Sequence, residues 1–98
     1  MPKLNEAEID VLLASEPEWK LSEGVLTRQW KFKDFVAAMV FVNHIGAIAE
    51  EADHHPDIDI RYNKVRLTLI SHDVNGLTER DARMASRLTR EFSTPGSA

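Results

Sequence analysis

The sequence has 98 residues, of which 43% are hydrophobic and 29% are charged, the composition of one ordinary globular domain rather than of a disordered or fibrous protein. Its net charge of −4 argues against non-specific binding to nucleic acid as the main function. The absence of cysteine excludes disulfides, thiolate nucleophiles and thiolate metal sites. We expect a single domain over residues 1–98, with a flexible tail at residues 93–98.

Targeting and membrane signals are absent from the pattern. No apolar segment of the signal-peptide kind precedes the acidic start of the chain, and no window approaches the ~18 apolar residues of a membrane span. We therefore expect a soluble, unprocessed cytoplasmic protein with neither a membrane nor a nucleic acid as partner. Because so short a chain buries little surface alone, a homo-oligomer, dimer or tetramer, is also expected.

The first half of the chain predicts a helix, two strands and a second helix. Asn5 is placed to cap a helix that runs to Ser15. Residues 19–21 and 25–32 are β-rich and are separated by a glycine-containing loop, as in a hairpin. Asp34 can cap a long helix to about Glu51. Its apolar residues spread beyond one face, so we expect it to pack on the sheet with one side and on another element or subunit with the other.

The second half predicts another pair of strands and a third helix. Residues 58–62 and 65–72 have the strand pattern, and Asn63-Lys64 between them suits a two-residue turn. This register places Tyr62 opposite Val65, in the core. Carried past the strand, the same register places His55 opposite His72.

A last helix is predicted from a Thr78 cap to about Phe92, which completes the order αββαββα and the α+β class. Its arginines, Arg80, Arg83, Arg87 and Arg90, lie opposite the apolar stripe, and we predict a solvated face rather than a phosphate-binding surface. Trp19 and Trp30 are predicted core residues. His44, which has no companion, is predicted to be structural or exposed.

Chemistry-bearing residues cluster between positions 50 and 81. Glu50 precedes His54-His55-Pro56, and one helical turn separates it from His54, so its carboxylate could fix that ring. An isolated pair of this kind is usually an ordinary ion pair at a helix end. Two adjacent histidines, a rigidifying proline and His72 brought alongside by the hairpin favour a site instead.

Asp81 has two predicted roles. As the fourth residue of Thr78-Glu79-Arg80-Asp81 it can complete a capping box at the start of the last helix. It also lies within the apolar stripe of that helix, so its carboxylate should point towards the sheet and need a partner there. The histidine cluster or a backbone amide could supply that partner.

The spacing of Glu50, His54-His55-Pro56, His72 and Asp81, with Tyr62 between them, resembles the signature of the pterin-4a-carbinolamine dehydratases. The resemblance extends along the chain from Ala7 to about Phe92. It implies a four-stranded antiparallel sheet with helices packed on it, oligomers built from dimers, and a hydro-lyase that converts 4a-hydroxytetrahydropterin to quinonoid dihydropterin and water in tetrahydrobiopterin recycling. Ile58 departs from the tryptophan that many members carry and puts the shape of the pterin pocket in question.

The resemblance also implies roles for the clustered residues, without metal or organic cofactor. His54 and His55 would be the principal proton donors and acceptors, and His72 a second acid or an orienting group. Glu50 would be the partner of His54, and Asp81 would set ring orientation or charge. Substrate would lie against His54, His55, Pro56 and His72.

Three other functions stay open from sequence. The histidines and Asp81 are capable metal ligands, although adjacent histidines in an extended segment point to opposite sides and rarely bind one ion together. The chain could be a non-catalytic binding or dimer-stabilising coactivator module, as animal members of the family imply. It could also act on a related pterin in molybdopterin or folate metabolism.

Overall fold

Seven elements follow one another in the computed structural model, which describes residues 2–92. They are α1 (Glu6–Ser15), β1 (Lys20–Ser22), β2 (Val25–Lys31), α2 (Phe35–Ala52), β3 (Asp57–Arg61), β4 (Lys64–Leu69) and α3 (Glu79–Glu91). The predicted order αββαββα and the α+β class are confirmed. The tail expected at residues 93–98 lies outside the described residues.

All three helices begin where the cap residues predict. The side chains of Asn5, Asp34 and Thr78 each accept a hydrogen bond from a backbone N–H group of the first helical turn. These N–H groups have no partner inside the helix, so each cap satisfies one donor that would otherwise face the solvent or the core. The positions at which the helices begin are therefore determined by residues close by in the sequence.

The four strands form one antiparallel sheet in the order β1-β2-β4-β3. Alternate residues of the central strands β2 and β4 point towards the helices. The core lies between this face of the sheet and the helices α2 and α3. Its main members are Leu26, Trp30, Val65, Leu67, Leu69, Phe41, Ile45, Ile48 and Leu88. The predicted burial of Trp19 and Trp30 is confirmed, at 1% and 4% exposure.

The register of β3 against β4 differs from the prediction by two residues. Ile58 pairs with Leu67, and the turn is made by Tyr62 and Asn63. Asn63 is held there by the end of β2: its carbonyl oxygen accepts from the Phe32 N–H at 2.8 Å, and its side-chain amide donates to the Phe32 carbonyl oxygen at 2.8 Å. A tertiary contact therefore fixes this turn.

Tyr62 shows the consequence of that shift. The residue takes a left-handed backbone conformation, with φ of 52°, at the tip of the hairpin, and it is 66% exposed. The prediction that it packs in the core opposite Val65 is wrong, because Ile60 occupies that place in the ladder.

Helix α2 corrects the expectation that no segment of the chain is apolar enough to approach a membrane span. Its 18 residues have a mean hydropathy of 1.3, so by length and composition it could cross a membrane. One side nevertheless packs into the core of the domain through Ala38, Phe41, Ile45, Ile48 and Ala49. The opposite side leaves Phe35, Val36 and Val40 48%, 70% and 54% exposed.

Candidate active site

The end of α2 sends two neighbouring histidines in different directions. Asp53 takes a left-handed conformation (φ 52°, ψ 42°), and its N–H closes the helix at Ala52. Because successive side chains of the extended segment that follows point to opposite sides, His54 turns inward and His55 outward. The His54 side chain is 10% exposed and that of His55 57%. Pro56, which follows them, is buried.

His54 is held by Asp81. The Nε2–H group of the imidazole donates to Asp81 Oδ1 at 2.6 Å, and the Asp81 side chain is fully buried. The second carboxylate oxygen accepts from Ser71 Oγ at 2.8 Å and from the Thr78 backbone N–H at 2.9 Å. Both predicted roles of Asp81, the capping box and the inward-pointing partner of a histidine, are confirmed.

This network assigns the proton on the His54 ring. A carboxylate can only accept, so Asp81 is satisfied when Ser71 Oγ and the His54 Nε2–H both donate to it. Ser71 Oγ then accepts from the Thr78 hydroxyl, 2.8 Å away. With its proton on Nε2, neutral His54 has its lone pair on Nδ1, the nitrogen that can take up a further proton.

Glu50 binds the outer histidine rather than the inner one. The Nε2–H group of His55 donates to Glu50 Oε2 at 2.5 Å, and both side chains are exposed. The predicted pair of Glu50 with His54 is wrong because the helix ends at Ala52, so His54 does not continue the helical spacing on which that prediction relied.

His72 reaches the site from a turn. Strand β4 ends at Leu69 instead of running to His72, and the turn is closed by a bridge between Ser71 and Gly76. His72 is therefore not paired across the sheet with His55. The prediction that the hairpin brings His72 alongside the two adjacent histidines is confirmed. His54, His55 and His72 line one open cavity of about 310 Å³ at the neighbouring ends of β3 and β4.

The cavity is also lined by five residues that sequence did not place in the site, Asp53, Ile70, Ser71, Asp73 and Arg80. Ser71 lines it and supports Asp81, and Arg80 lines it from the first turn of α3. Arg80 donates to Asp73 Oδ1 at 2.5 Å, and this hydrogen bond lowers the pKa of Asp73 below its usual value. Arg80 carried a sequence signal, its position beside Asp81, whereas Ser71 carried none.

The histidines and carboxylates of the site form two separate hydrogen-bonded pairs, His54 with Asp81 and His55 with Glu50. Within residues 2–92, no three histidine or carboxylate side chains converge closely enough to hold a metal ion. The arrangement is suited to moving protons at two places on the rim of one cavity.

A family comparison decides what kind of protein carries this site. The sequence model described as "Pterin 4 alpha carbinolamine dehydratase" matches residues 2–91. The chain belongs to this dehydratase family. Pterin-dehydratase relatives by name include a Chloroflexus aurantiacus protein, 50% identical over 88 residues that cover 90% of this chain and 95% of the relative. One from Acidobacterium capsulatum is 52% identical over 88 residues, which cover 90% of this chain and 96% of the relative.

Solved structures agree with this family fold. A Brucella melitensis protein described as a transcriptional coactivator/pterin dehydratase matches with a TM-score of 0.85 and 36% identity, over 91% of this chain and 97% of the other. The predicted four-stranded sheet with helices packed on it is thereby confirmed. A pterin dehydratase-like RuBisCO assembly factor of the α-carboxysome, at a TM-score of 0.59 and 20% identity, covers 74% of this chain and 83% of the other and shares the fold alone.

Proposed function

We propose that this protein is a hydro-lyase that dehydrates 4a-hydroxytetrahydropterin to quinonoid dihydropterin and water, as in tetrahydrobiopterin recycling. One observation carries the proposal: three histidines line a single cavity, and two of them are each held by a carboxylate. Membership of the dehydratase family supports the same reaction.

The reaction needs two proton transfers at neighbouring positions of the pterin ring. The oxygen on C4a must gain a proton to leave as water, and N5 must lose its proton as the C4a–O bond breaks and the C4a–N5 double bond forms. Imidazole is suited to both transfers because it exchanges protons near neutral pH. No change of oxidation state occurs, so the reaction requires no redox cofactor.

We assign the two transfers to the two carboxylate-bound histidines. His54, whose Nε2 proton is held by buried Asp81, is the base that accepts the N5 proton on Nδ1. His55, whose ring is hydrogen-bonded to Glu50, is the acid that protonates the leaving oxygen. His72 positions the ring and serves as a second acid, while buried Pro56, which does not line the cavity, restricts the backbone that carries His55.

The exposure of His55 and Glu50 supports turnover. After one reaction His54 holds an extra proton and His55 lacks one. Because the side chains of His55 and Glu50 are 57% and 79% exposed, water at the cavity mouth can return the missing proton. The cavity that holds all three rings is open, which gives the same access to His54.

The dehydratase reaction should proceed without added metal. Protein stripped by chelation and dialysis is expected to accelerate loss of water from freshly generated 4a-hydroxytetrahydropterin, followed as absorbance change in a stopped-flow instrument. General acid–base catalysis by these histidines accounts for about 10² to 10⁴-fold of the acceleration. Recovery of activity only on addition of a divalent ion would contradict a metal-free mechanism.

The same assay separates this function from its rivals. A non-catalytic coactivator module would leave the rate at that of buffer alone. Carbinolamines that carry the side chains of molybdopterin and folate pterins are included beside the tetrahydrobiopterin derivative. A higher kcat/KM on a carbinolamine of the molybdopterin or folate type would assign the protein to that pathway, with the same dehydration chemistry.

Assembly is the second part of the proposal. Phe35, Val36 and Val40 form an apolar patch on the outer side of α2, and their exposure is unusual for residues of this size. We propose that a second copy of the chain covers it and that the working enzyme is a homo-oligomer. The patch lies at the N-terminal half of α2, away from Glu50.

A charged residue in this patch should dissociate the oligomer. Val40→Asp is expected to give a monomer in sedimentation velocity at micromolar concentration, because the partner subunit would have to bury an unpaired carboxylate. Val11→Asp is the matched control, since Val11 is 66% exposed on α1 outside the patch. A wild-type chain that already sediments as a monomer would contradict the proposal.

A further inference from the structure

A second cavity lies beside His54. It has a volume of about 290 Å³ and is lined by Ala52, His54, Arg80, Arg83, Met84 and Arg87. Two of these residues, His54 and Arg80, also line the cavity of the three histidines. The two cavities are therefore neighbours that share a wall, and a ligand seated against the histidines could extend from one to the other.

The lining of the second cavity is strongly cationic. Arg80, Arg83 and Arg87 follow one another on α3 at three- and four-residue steps, which brings their side chains to one face of the helix. No aspartate or glutamate belongs to this lining, while Met84 and Ala52 give it apolar surface. The cavity thus has the character of a site for an anionic group attached to an uncharged body.

Each of the three arginines already has a carboxylate partner outside the lining. Arg80 pairs with Asp73 at 2.5 Å, Arg83 with Glu79 at 2.7 Å, and Arg87 with Glu51 at 3.1 Å and Glu91 at 3.0 Å. Ion pairs at a protein surface contribute little to stability, because water screens the two charges.

The pairs leave the guanidinium groups able to bind more. A guanidinium group has five N–H donors, and each of these pairs occupies one or two of them. A guanidinium group is charged at any physiological pH, and the hydrogen bond from Arg87 to Glu91 raises the pKa of Arg87 further. The carboxylates therefore orient the arginines, and free N–H donors remain for an incoming anion.

Resting on the proposed dehydratase function, we infer that this second cavity binds an anionic end of the pterin's side chain, a phosphate or a carboxylate. The ring occupies the cavity of His54, His55 and His72, and the substituent passes His54 to reach Arg83 and Arg87. Arginine suits both anions because its planar fork of donors matches their paired oxygens. The preferred substrate is then a 4a-hydroxypterin with a charged substituent, in place of the tetrahydrobiopterin derivative, whose side chain is uncharged.

The test compares substrates that differ only in the end of the side chain. The kcat/KM for dehydration is measured with three carbinolamines, whose side chains end in a hydroxyl, a phosphate or a carboxylate. Wild-type protein should prefer an anionic substrate, chiefly through a lower KM. The arm with the larger preference identifies phosphate or carboxylate as the natural group.

The double variant Arg83→Gln/Arg87→Gln should reduce the ratio of anionic to neutral kcat/KM by roughly tenfold or more, as expected for lost hydrogen bonds to a charged group. Arg90→Gln is the matched control, since Arg90 lies on the same helix but does not line this cavity, and it should leave the ratio unchanged. Circular dichroism verifies that the double variant folds, and each single variant gives a second measurement.

Equilibrium binding keeps the inference separate from the proposed function. Fluorescent oxidised pterins with the same three side chains are titrated into wild-type protein and the double variant. If no carbinolamine is turned over, the dehydratase proposal fails, and tighter binding of the anionic pterins that depends on Arg83 and Arg87 still supports the anion site. Equal affinity of wild-type protein for all three side chains, or an unchanged ratio in the double variant, would overturn it.

Discussion

His54→Ala is expected to lower the rate of carbinolamine dehydration by a factor on the order of 10² or more, the worth of one acid–base group. The imidazole is the base of the proposed reaction, and no other described side chain shares its hydrogen bond to Asp81 Oδ1. His55→Ala should have a similar effect on the rate. The measurement is kcat under saturating substrate for each variant.

The two histidine variants should differ in stability. His54 is only 10% exposed and satisfies a fully buried carboxylate, so its loss should reduce the free energy of unfolding by about 1 to 3 kcal/mol. His55 and Glu50 are exposed, and His55→Ala should cost less than about 0.5 kcal/mol.

His44→Ala is the matched control for these variants. His44 is exposed on α2 and lies outside the histidine cavity, so both the rate and the stability should stay close to wild type. If His54→Ala and His55→Ala each kept the wild-type rate, the three-histidine cavity would not be the active site, and the dehydratase function would rest on family membership alone.

Asp81→Ala is expected to reduce both activity and stability, because the Asp81 carboxylate both holds the His54 ring and caps α3. The substitution removes the acceptor for the His54 ring, which can then turn away from the substrate. It also leaves the buried Ser71 hydroxyl and the Thr78 N–H without their acceptor. An unsatisfied buried donor costs about 1 to 3 kcal/mol, so a loss of about 2 to 4 kcal/mol in unfolding free energy is expected.

Urea denaturation and the dehydration rate, measured on the same samples, check this prediction. Glu50→Ala provides the comparison: it removes a histidine partner that is 79% exposed and not a helix cap, so stability should change by less than about 0.5 kcal/mol. If Asp81→Ala unfolded at the wild-type urea concentration, the hydrogen bonds from Ser71 and Thr78 would not carry the stability assigned to them.

Much of the fold is predictable because its signals are local. The caps at Asn5, Asp34 and Thr78 set where the helices begin, and the glycine-containing turn between β1 and β2 sets the first hairpin. A cap or a tight turn depends on residues within one turn of chain, so no knowledge of the rest of the protein is needed.

The second hairpin shows where local signals fail. Asn63 is a good turn residue, and the sequence allows it as the first or the second residue of a two-residue loop. Its two hydrogen bonds with Phe32 select the second place, and Tyr62 then takes the left-handed conformation. Phe32 lies 31 positions earlier in the chain, so short-range patterns carry no trace of this contact.

The clustering of the candidate residues was predictable from sequence, whereas the pairing of carboxylates with histidines was not. Clustering of Glu50, His54, His55, His72 and Asp81 indicated shared chemistry, and the structure brings the three histidines to one cavity. Which carboxylate holds which ring depended on where α2 ends and on the turn that follows. The left-handed conformation of Asp53 ends the helix early. As a result, His55 binds Glu50 and His54 binds Asp81.

The sequence by itself therefore determined the order of elements, the helix caps and the clustering of the candidate site residues, because periodicity, capping and spacing are properties of nearby residues. Only the tertiary structure decided the register of β3, the exposure of Tyr62, the partner of each histidine and the arginine-lined cavity beside His54. Each of these depends on side chains far apart in the chain that meet when the helices pack on the sheet, and contacts of that range have no local signature.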